Sequence, residues 1–242
     1  MFDDHGAVET PDSVFPNNWF STHSGGHIAI YPMYAPSRRR ERRTDVIEML
    51  KAEYRVQDVI DYSGMELDRL FLEGTGAMVL DHIGRIAYVA RSHRADPILL
   101  ERFCTHFGFE PMAFDTEDAA GNPVYHTNVI MCVGTEFALI ALDMIANPVR
   151  RAEMKTRLEE TGREVIDLSF DQIGEFAGNA IELTGRHGSL LAISARAAAA
   201  LKPDQVATIE RSARLMALAV PTLELAGGSI RCMIAGIHLT PR

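Results

Sequence analysis

Residues 72–80 read LEGTGAMVL, a short apolar strand pattern that carries one carboxylate, Glu73, where a core residue is expected. Four other segments share this pattern, namely residues 15–20 (FPNNWF), 125–131 (YHTNVIM), 177–183 (AGNAIEL) and 230–235 (IRCMIA). We call their polar or nucleophilic positions the marker residues: Asn18, Glu73, His126, Asn179 and Cys232. The markers are separated by 55, 53, 53 and 53 residues. This spacing predicts a chain built from five copies of one structural unit.

The residues that follow two of the markers predict what one unit contains. A second strand, a helix and a third strand follow in the same order each time, and the pair Asp96-Pro97 is a strong helix start. The predicted bounds are strand 85–90, helix 96–107 and strand 110–115 after Glu73, and strand 190–193, helix 203–216 and strand 221–225 after Asn179. The unit is therefore predicted to be strand, strand, helix, strand.

A repeat of about 53 residues favours a five-bladed α/β propeller, with one inner strand of each blade at a central axis. The five markers would then meet in one axial pocket. The alternative is a linear solenoid, in which the markers would form a row with steps of ~10 Å and could not act together.

The chain is interpreted as a single catalytic domain, residues 1–242, whose fifth blade is incomplete. Only ten residues follow Cys232, which is enough for one strand. Residues 1–4 resemble the end of a third strand, in the place that residues 59–62 hold before Glu73. We therefore expect the sequence to begin inside the fifth blade, with an N-terminal piece missing.

Composition narrows the class of protein. The net charge is −9, which argues against binding to nucleic acid or to an anionic membrane. The basic run at residues 38–43 (RRRERR) is the local exception, and it is predicted to open an exposed helix. Three cysteines are too few for a disulfide framework, and neither a signal peptide nor a membrane-spanning segment is evident. The sequence thus predicts a soluble, cytoplasmic protein.

Cys232, His126 and Glu73 form the candidate catalytic group. A thiol attacks as the thiolate and needs a nearby base, and a carboxylate can hold an imidazole in one tautomer. The sequence GGS at residues 227–229 leaves room for a substrate beside Cys232. Cys132 lies in an apolar strand and Cys104 in an amphipathic helix, so both are predicted to be core thiols.

Together these motifs resemble the arginine deiminase and amidinotransferase (pentein) superfamily, and most closely its citrulline-utilisation hydrolases. The resemblance covers essentially the whole chain and implies the five-bladed α/β propeller. It implies that Cys232 is the nucleophile, His126 the general acid and base, and Glu73 the partner of the histidine. Residues 92–94 (SHR) resemble the segment that binds the α-carboxylate of the substrate, which makes Arg94 the candidate there.

Two positions differ from the pattern of deiminases that act on cationic guanidinium groups. Those enzymes have Asp where this chain has Asn18, and many have Asp at the position of Asn128. An amide donates and accepts hydrogen bonds without charge, so the pocket suits a neutral ureido group and favours citrulline as substrate. The expected products are ornithine, ammonia and carbon dioxide, released through a covalent intermediate on Cys232. No cofactor and no metal is expected, since neither histidines nor cysteines show metal-ligand spacing.

The sequence leaves two kinds of alternative function open. One is another enzyme on the same fold, such as an arginine deiminase, an acylarginine dihydrolase or an amidinotransferase. The other is a truncated, inactive chain kept as a binding protein. The partner is expected to be a small amino acid, and the sequence leaves formation of a homo-oligomer open.

Overall fold

The computed structural model describes residues 9–242, and the predicted strand at residues 1–4 lies outside them. Twelve strands form four separate three-stranded sheets, one for each of the first four units. The strands are β1 Phe20–His23, β2 His27–Ile30, β3 Asp58–Asp61, β4 Met78–Asp81, β5 Ile86–Ala90, β6 Glu110–Phe114, β7 Met131–Val133, β8 Phe137–Ile140, β9 Glu164–Asp167, β10 Ile181–Gly185, β11 Gly188–Ser194 and β12 Arg214–Leu218. In every sheet the second strand is central; it pairs antiparallel with the first and parallel with the third. This α/β arrangement confirms the predicted order of elements within the unit.

Helices connect the second and third strands of each unit, as a parallel pair requires. The connecting helices are α1 Pro36–Arg39, α2 Thr44–Glu53, α4 Pro97–Phe107, α5 Pro148–Glu160, α7 Ala195–Ala200 and α8 Pro203–Glu210, whereas the short helices α3 Gly74–Ala77, α6 Phe170–Gly174 and α9 Pro221–Leu225 follow third strands. The start of α4 is as predicted, because Asp96 accepts a hydrogen bond from the backbone N–H of Ile98 and Pro97 occupies the first turn. Helix α4 ends at Phe107, and the next residue, Gly108, has a φ of 68°, a left-handed conformation that glycine adopts without strain.

The marker segments differ from the prediction, because the markers lie in tight turns before the inner strands and not within strands. Short 3₁₀ helices cover Pro16–Asn18, Thr127–Val129 and Ile230–Met233, and α3 follows Glu73 directly. Close backbone contact explains the turns. Gly74 has a φ of +47°, and a Cβ atom there would lie 2.4 Å from the carbonyl oxygen of Asn17. The chain therefore bends sharply where neighbouring units meet.

A second correction concerns the end of the fourth unit. The predicted helix to Met216 ends at Glu210, and residues 214–218 form β12, which pairs with β11. The predicted strand at residues 221–225 is instead α9, which begins at Pro221. The segment 214–218 has no clear alternation of apolar and polar residues, so its strand form depends on pairing with β11, a long-range effect that local pattern does not contain.

Successive units contact one another through their first strands and marker turns. Strand β7 contacts both β4 and β10, and α3 contacts both the 16–18 turn and the 127–129 turn. The turn at residues 230–233 contacts β11 on one side and the 16–18 turn on the other. The first and last units are therefore neighbours, which a linear solenoid would not allow. Residues 236–242 lie along the first unit, where the backbone N–H of Arg55 donates to the carbonyl oxygen of Thr240.

Apolar side chains pack between the sheets and the helices that cover them. Cys132 and Cys104 both lie in these cores, as predicted. Burial raises the pKa of each of the two thiols to about 12, so neither is a ready thiolate. In the part of the chain that the structure describes, no helix is both long and apolar enough to cross a membrane.

Candidate active site

A cavity of about 150 Å³ lies beside the marker turns, and it brings together most of the predicted site residues. We call it the catalytic cavity. Its lining residues are Asp12, Phe15, Asn18, Arg38, Arg94, Tyr125, His126, Ala226, Gly227, Gly228 and Cys232. Glu73 and Asn128 lie directly behind this lining, each bonded to one of its members. Of the six predicted site residues, four therefore line the cavity and the other two are hydrogen-bonded to lining residues.

Glu73 and His126 form a buried pair. Nε2 of His126 lies 2.7 Å from Oε2 of Glu73, and the other carboxylate oxygen accepts from the backbone N–H of Tyr34 at 2.9 Å. Burial opposes ionisation of Glu73, but hydrogen bonding by His126 and the nearby positive charge of Arg94 outweigh it and lower the pKa of Glu73 to about 2. Burial lowers the pKa of His126, against the opposing effect of Glu73.

Both lowered pKa directions favour an ionised Glu73 beside a neutral His126 near neutral pH. A neutral imidazole beside an ionised carboxylate must donate from Nε2, so Nδ1 of His126 carries the free lone pair. The side of Nδ1 is crowded, since a Cβ atom at Gly76 would lie 3.0 Å from it and 2.0 Å from the amide of Asn18. Glycine is therefore required at position 76. His126 is arranged as a base whose imidazolium form Glu73 would stabilise.

Arg94 lies at the edge of this pair. Its Nη1 is 3.4 Å from Oε2 of Glu73, and its guanidinium lies 5.2 Å from the centre of the Tyr125 ring. The Ser92 hydroxyl holds the local turn, because it accepts from the backbone N–H of Arg94 at 3.1 Å. The guanidinium remains partly exposed to the catalytic cavity. It can therefore bind an anionic group of a ligand.

Two carboxamides donate to the sulfur of Cys232. Nδ2 of Asn128 lies 3.3 Å from Sγ, and Nδ2 of Asn179 lies 3.2 Å from it. Donors of this kind stabilise a thiolate more than a thiol. Asn179 is itself held in place, since its Oδ1 accepts from the backbone N–H of Arg231 at 3.0 Å. The sequence placed Asn179 in phase with the other markers, but its role beside the sulfur was missed.

The other end of the Asn128 amide has no partner in the described structure. Its Oδ1 is buried and accepts no hydrogen bond. An unsatisfied buried acceptor is costly and is found where a ligand or water completes the bonding. Asn128 can thus donate to Cys232 and also accept an N–H from a bound molecule.

Asn18 lies against a buried arginine that was not predicted as a site residue. With its amide oriented so that both ends are paired, Oδ1 of Asn18 accepts from Nη1 of Arg38 at 2.7 Å. Arg38 in turn bonds Glu41 through Nε and Nη2, each at 2.9 Å. The basic run at residues 38–43 was predicted to open an exposed helix, and helix α2 does begin at Thr44, but the predicted exposure was wrong for Arg38 and Glu41, which are buried. Arg38 lines the catalytic cavity and is only 4% exposed. Its charge can be buried because Glu41 and backbone carbonyls accept hydrogen bonds from the guanidinium.

The glycines before Cys232 leave room at the mouth of the cavity. Gly227 has a φ of +86°, and its carbonyl oxygen accepts from the Tyr125 hydroxyl at 3.0 Å. A Cβ atom at Gly228 would lie 2.4 Å from the ring of Phe15. The rings of Tyr125 and Phe15 thus pack directly against the backbone of residues 227 and 228, and no side chain of these two residues occupies the mouth of the cavity.

The chain belongs to the family described as "N,N dimethylarginine dimethylhydrolase, eukaryotic", whose model matches residues 1–239. This places it in the pentein superfamily, as the sequence predicted, and its family is one of hydrolases that act on carbon–nitrogen bonds. No curated protein sequence matches the chain.

Three solved structures illustrate the similarity. Apo ArgZ, a cyanobacterial arginine dihydrolase of the ornithine-ammonia cycle, gives a TM-score of 0.72 at 15% identity, covering 95% of this chain and 34% of that chain. AgrE in complex with ornithine and NAD+ gives 0.73 at 16% identity, covering 96% of this chain and 31% of that chain. Dimethylarginine dimethylaminohydrolase, solved as the adduct of a histidine-to-glycine variant with S-methyl-L-thiocitrulline, gives a TM-score of 0.64 at 16% identity, covering 92% of this chain and 76% of that chain. The chain spans about a third of ArgZ and AgrE, and these likenesses concern the fold.

Proposed function

We propose that this protein is a cysteine-dependent hydrolase of the ureido or guanidino group of an arginine-related amino acid, with citrulline as the substrate. One observation carries the proposal. The sulfur of Cys232 accepts hydrogen bonds from two uncharged amides, Asn128 and Asn179, and Cys232 lines the same cavity as His126, the partner of Glu73. A neutral ureido group matches this arrangement, because the unpaired Oδ1 of Asn128 can accept from a ureido N–H without adding a charge beside the sulfur.

The order of the proposed steps follows from the protonation of His126, which begins as a neutral imidazole and can accept the proton of the Cys232 thiol. Nδ1 of His126 takes the thiol proton, and the thiolate of Cys232 attacks the ureido carbon. The bond from that carbon to the side-chain nitrogen then breaks, and the imidazolium gives its proton to the departing nitrogen of ornithine. A carbamoyl group remains on the sulfur.

Water completes the reaction. His126, again neutral, takes a proton from a water molecule, which attacks the carbamoyl carbon and displaces the thiolate of Cys232, and the imidazolium then returns that proton to the sulfur. The carbamic acid that is released decomposes into ammonia and carbon dioxide. The sum is citrulline and water giving ornithine, ammonia and carbon dioxide, with no change of oxidation state.

The substrate's α-carboxylate is assigned to the two guanidinium groups of the catalytic cavity. Arg94 is the primary candidate, since its guanidinium is partly exposed there, and a planar fork can bind a carboxylate through two hydrogen bonds. Arg38 adds a fixed positive charge to the same lining, where it is bonded to Asn18. Asn18 and Asn128 are assigned to the ureido group itself.

Arginine or a methylated arginine is the second candidate substrate. Asp12 lines the catalytic cavity and is a carboxylate that could pair with a guanidinium. The matching family is described by its action on dimethylarginine, and ArgZ as an arginine dihydrolase. Incubation of the purified protein with citrulline, arginine and dimethylarginine, with ornithine and ammonia measured, distinguishes these. Ornithine from citrulline supports the first assignment, whereas turnover of the guanidino compounds alone supports the second.

The fold that carries this site is proposed to be one five-bladed propeller domain. The contacts of the marker turns support it, since the 16–18 turn contacts both α3 and the 230–233 turn, α3 contacts the 127–129 turn, and Asn179 is hydrogen-bonded to both Asn128 and Arg231. The axis of such a propeller would pass between the markers, with the catalytic cavity at one end.

A further inference from the structure

A second cavity, of about 160 Å³, is lined by residues from all five units. Within the described chain it shares no lining residue with the catalytic cavity. Its residues come from later positions of the inner strands, so it lies beyond the marker turns from the catalytic cavity. We call it the histidine cavity, because His23, His82 and His238 line it together with Arg231.

Arg231 differs from the other inward-facing arginines. Arg38 and Arg163 each bond a buried carboxylate through two nitrogens, Glu41 and Asp81 respectively. Arg231 bonds only a carbonyl, that of Ile234 at 2.7 Å, and among residues 9–242 it forms no ion pair with a carboxylate. Burial lowers the pKa of Arg231, and no carboxylate offsets this effect. A largely enclosed guanidinium without a counter-charge is a binding group for an anion.

The three histidines add further donors around the same space. The rings of His82 and His238 are 4.5 Å apart and stand at the exposed mouth of the cavity. His23 is buried, and its Nε2 lies 2.7 Å from the hydroxyl of Ser21. Burial lowers the pKa of His23 to about 3 and that of His82 to about 4, and the neighbouring positive groups add to both shifts. The surroundings of this cavity therefore disfavour additional positive charge on the histidines.

The acidic groups near the cavity are already engaged. Glu182 lines the cavity itself, where its Oε2 accepts from the backbone N–H of Thr135 at 2.6 Å, and Asp81 is bonded to Arg163 at 2.7 and 2.8 Å. The thiol of Cys132 is neutral, since burial raises its pKa. The other nearby cations face elsewhere: Arg85 bonds backbone carbonyls of the α4 end, and His27 bonds Asp58. None of these groups supplies Arg231 with a counter-charge.

We propose that the histidine cavity binds a small oxyanion, held by the guanidinium of Arg231 and by the imidazoles of His82, His238 and His23. Carboxylate and phosphate-like oxygens are the acceptors that this set of nitrogen donors fits. A cation is the poorer match, because no group of three or more His, Cys, Asp or Glu side chains in the described residues converges as metal ligands. The site also adjoins the catalytic group, since the backbone N–H of Arg231 orients Asn179 beside Cys232.

The test measures binding of sulfate, whose charge is constant near neutral pH, by titration calorimetry at fixed ionic strength and about pH 6. Two variants address the cavity, Arg231→Gln and His238→Gln, the second being on an exposed residue that should not impair folding. Two controls address the alternatives. Arg94→Gln removes a cation from the catalytic cavity, and His187→Gln removes an exposed histidine outside both cavities.

The wild-type protein is expected to bind sulfate saturably at one site. Arg231→Gln should weaken binding roughly 30-fold or more, as loss of one partner of a desolvated charge pair does. His238→Gln should weaken it less, while Arg94→Gln and His187→Gln leave it unchanged. Absence of saturable binding by the wild-type protein would overturn the proposal. So would binding that survives in Arg231→Gln but is lost in Arg94→Gln, because the anion would then occupy the catalytic cavity.

Discussion

Nδ2 of Asn179 lies 3.2 Å from Sγ of Cys232, although the two residues are 53 positions apart and belong to successive units. The repeat that builds the fold therefore also supplies a hydrogen-bond donor to the nucleophile. Asn128, from the unit before, donates to the same sulfur at 3.3 Å. The sulfur is thus set between amides from two units.

Replacement of Asn179 by alanine should slow the chemistry at Cys232. A hydrogen bond to a charged group contributes about 1.5–3 kcal/mol, so kcat should fall about 10- to 150-fold. The rate of Cys232 alkylation by iodoacetamide should fall with it, with Cys104 and Cys132 as internal references. Asn122→Ala, at an exposed loop position, is the control. Unchanged alkylation of Cys232 would remove Asn179 from the site.

Catalysis should depend on Cys232 and on neither of the other thiols. Cys232→Ser is expected to reduce turnover by several orders of magnitude, as loss of a nucleophile does. Cys104→Ala and Cys132→Ala should keep the activity of the folded fraction and lower the melting temperature, since both thiols pack in apolar cores. Labelling at neutral pH should modify Cys232 first. An inactive wild-type protein without such a reactive thiol would favour a binding role instead.

The pH dependence of stability should reveal the state of Glu73. Its pKa is depressed from 4.5 to about 2 in the folded protein, so its stabilising contribution is present above about pH 4.5. That contribution is lost as pH falls from about 4.5 toward about 2. Urea unfolding of the wild-type protein and of Glu73→Gln should therefore differ most above this window and converge below it. Parallel curves throughout would mean that Glu73 is not the charged partner of His126.

Aspartate at positions 18 and 128 should alter the choice of substrate. The carboxylate introduced at position 18 would pair with Arg38. The carboxylate at position 128 would place a negative charge beside the sulfur and the reacting group, where charge interactions are stronger than in bulk water. The double variant Asn18→Asp/Asn128→Asp should lose activity on citrulline and bind guanidino compounds better.

The measured quantity for this double variant is the ratio of kcat/KM for citrulline to that for arginine, at fixed ionic strength. Asn147→Asp is the matched control, because that residue caps α5 and aspartate caps equally well. A ratio that the double variant leaves unchanged would refute the assignment of Asn18 and Asn128 to the ureido group.

The sequence predicted the parts of this structure that depend on local chemistry and on spacing. The helix that begins at Asp96-Pro97 follows from capping, and the meeting of Glu73 with His126 follows from their shared phase in the repeat. The form of residues 214–225 could not be predicted locally, because pairing with β11 decides it. The burial of Arg38 was also missed. A run of arginines resembles a solvated surface until Glu41 and the carbonyl of Phe15 are seen around one of them.

The central claim is that a carbamoyl group is transferred to Cys232. Citrulline labelled with ¹³C at the ureido carbon should be mixed with the protein and quenched in acid during turnover, and the intact protein and its peptides analysed by mass spectrometry. The account predicts one labelled carbamoyl adduct on the peptide that contains Cys232, together with ornithine, and no adduct on Cys232→Ser. Ornithine formed without a labelled adduct on that peptide, or formed by Cys232→Ser at the wild-type rate, would contradict it.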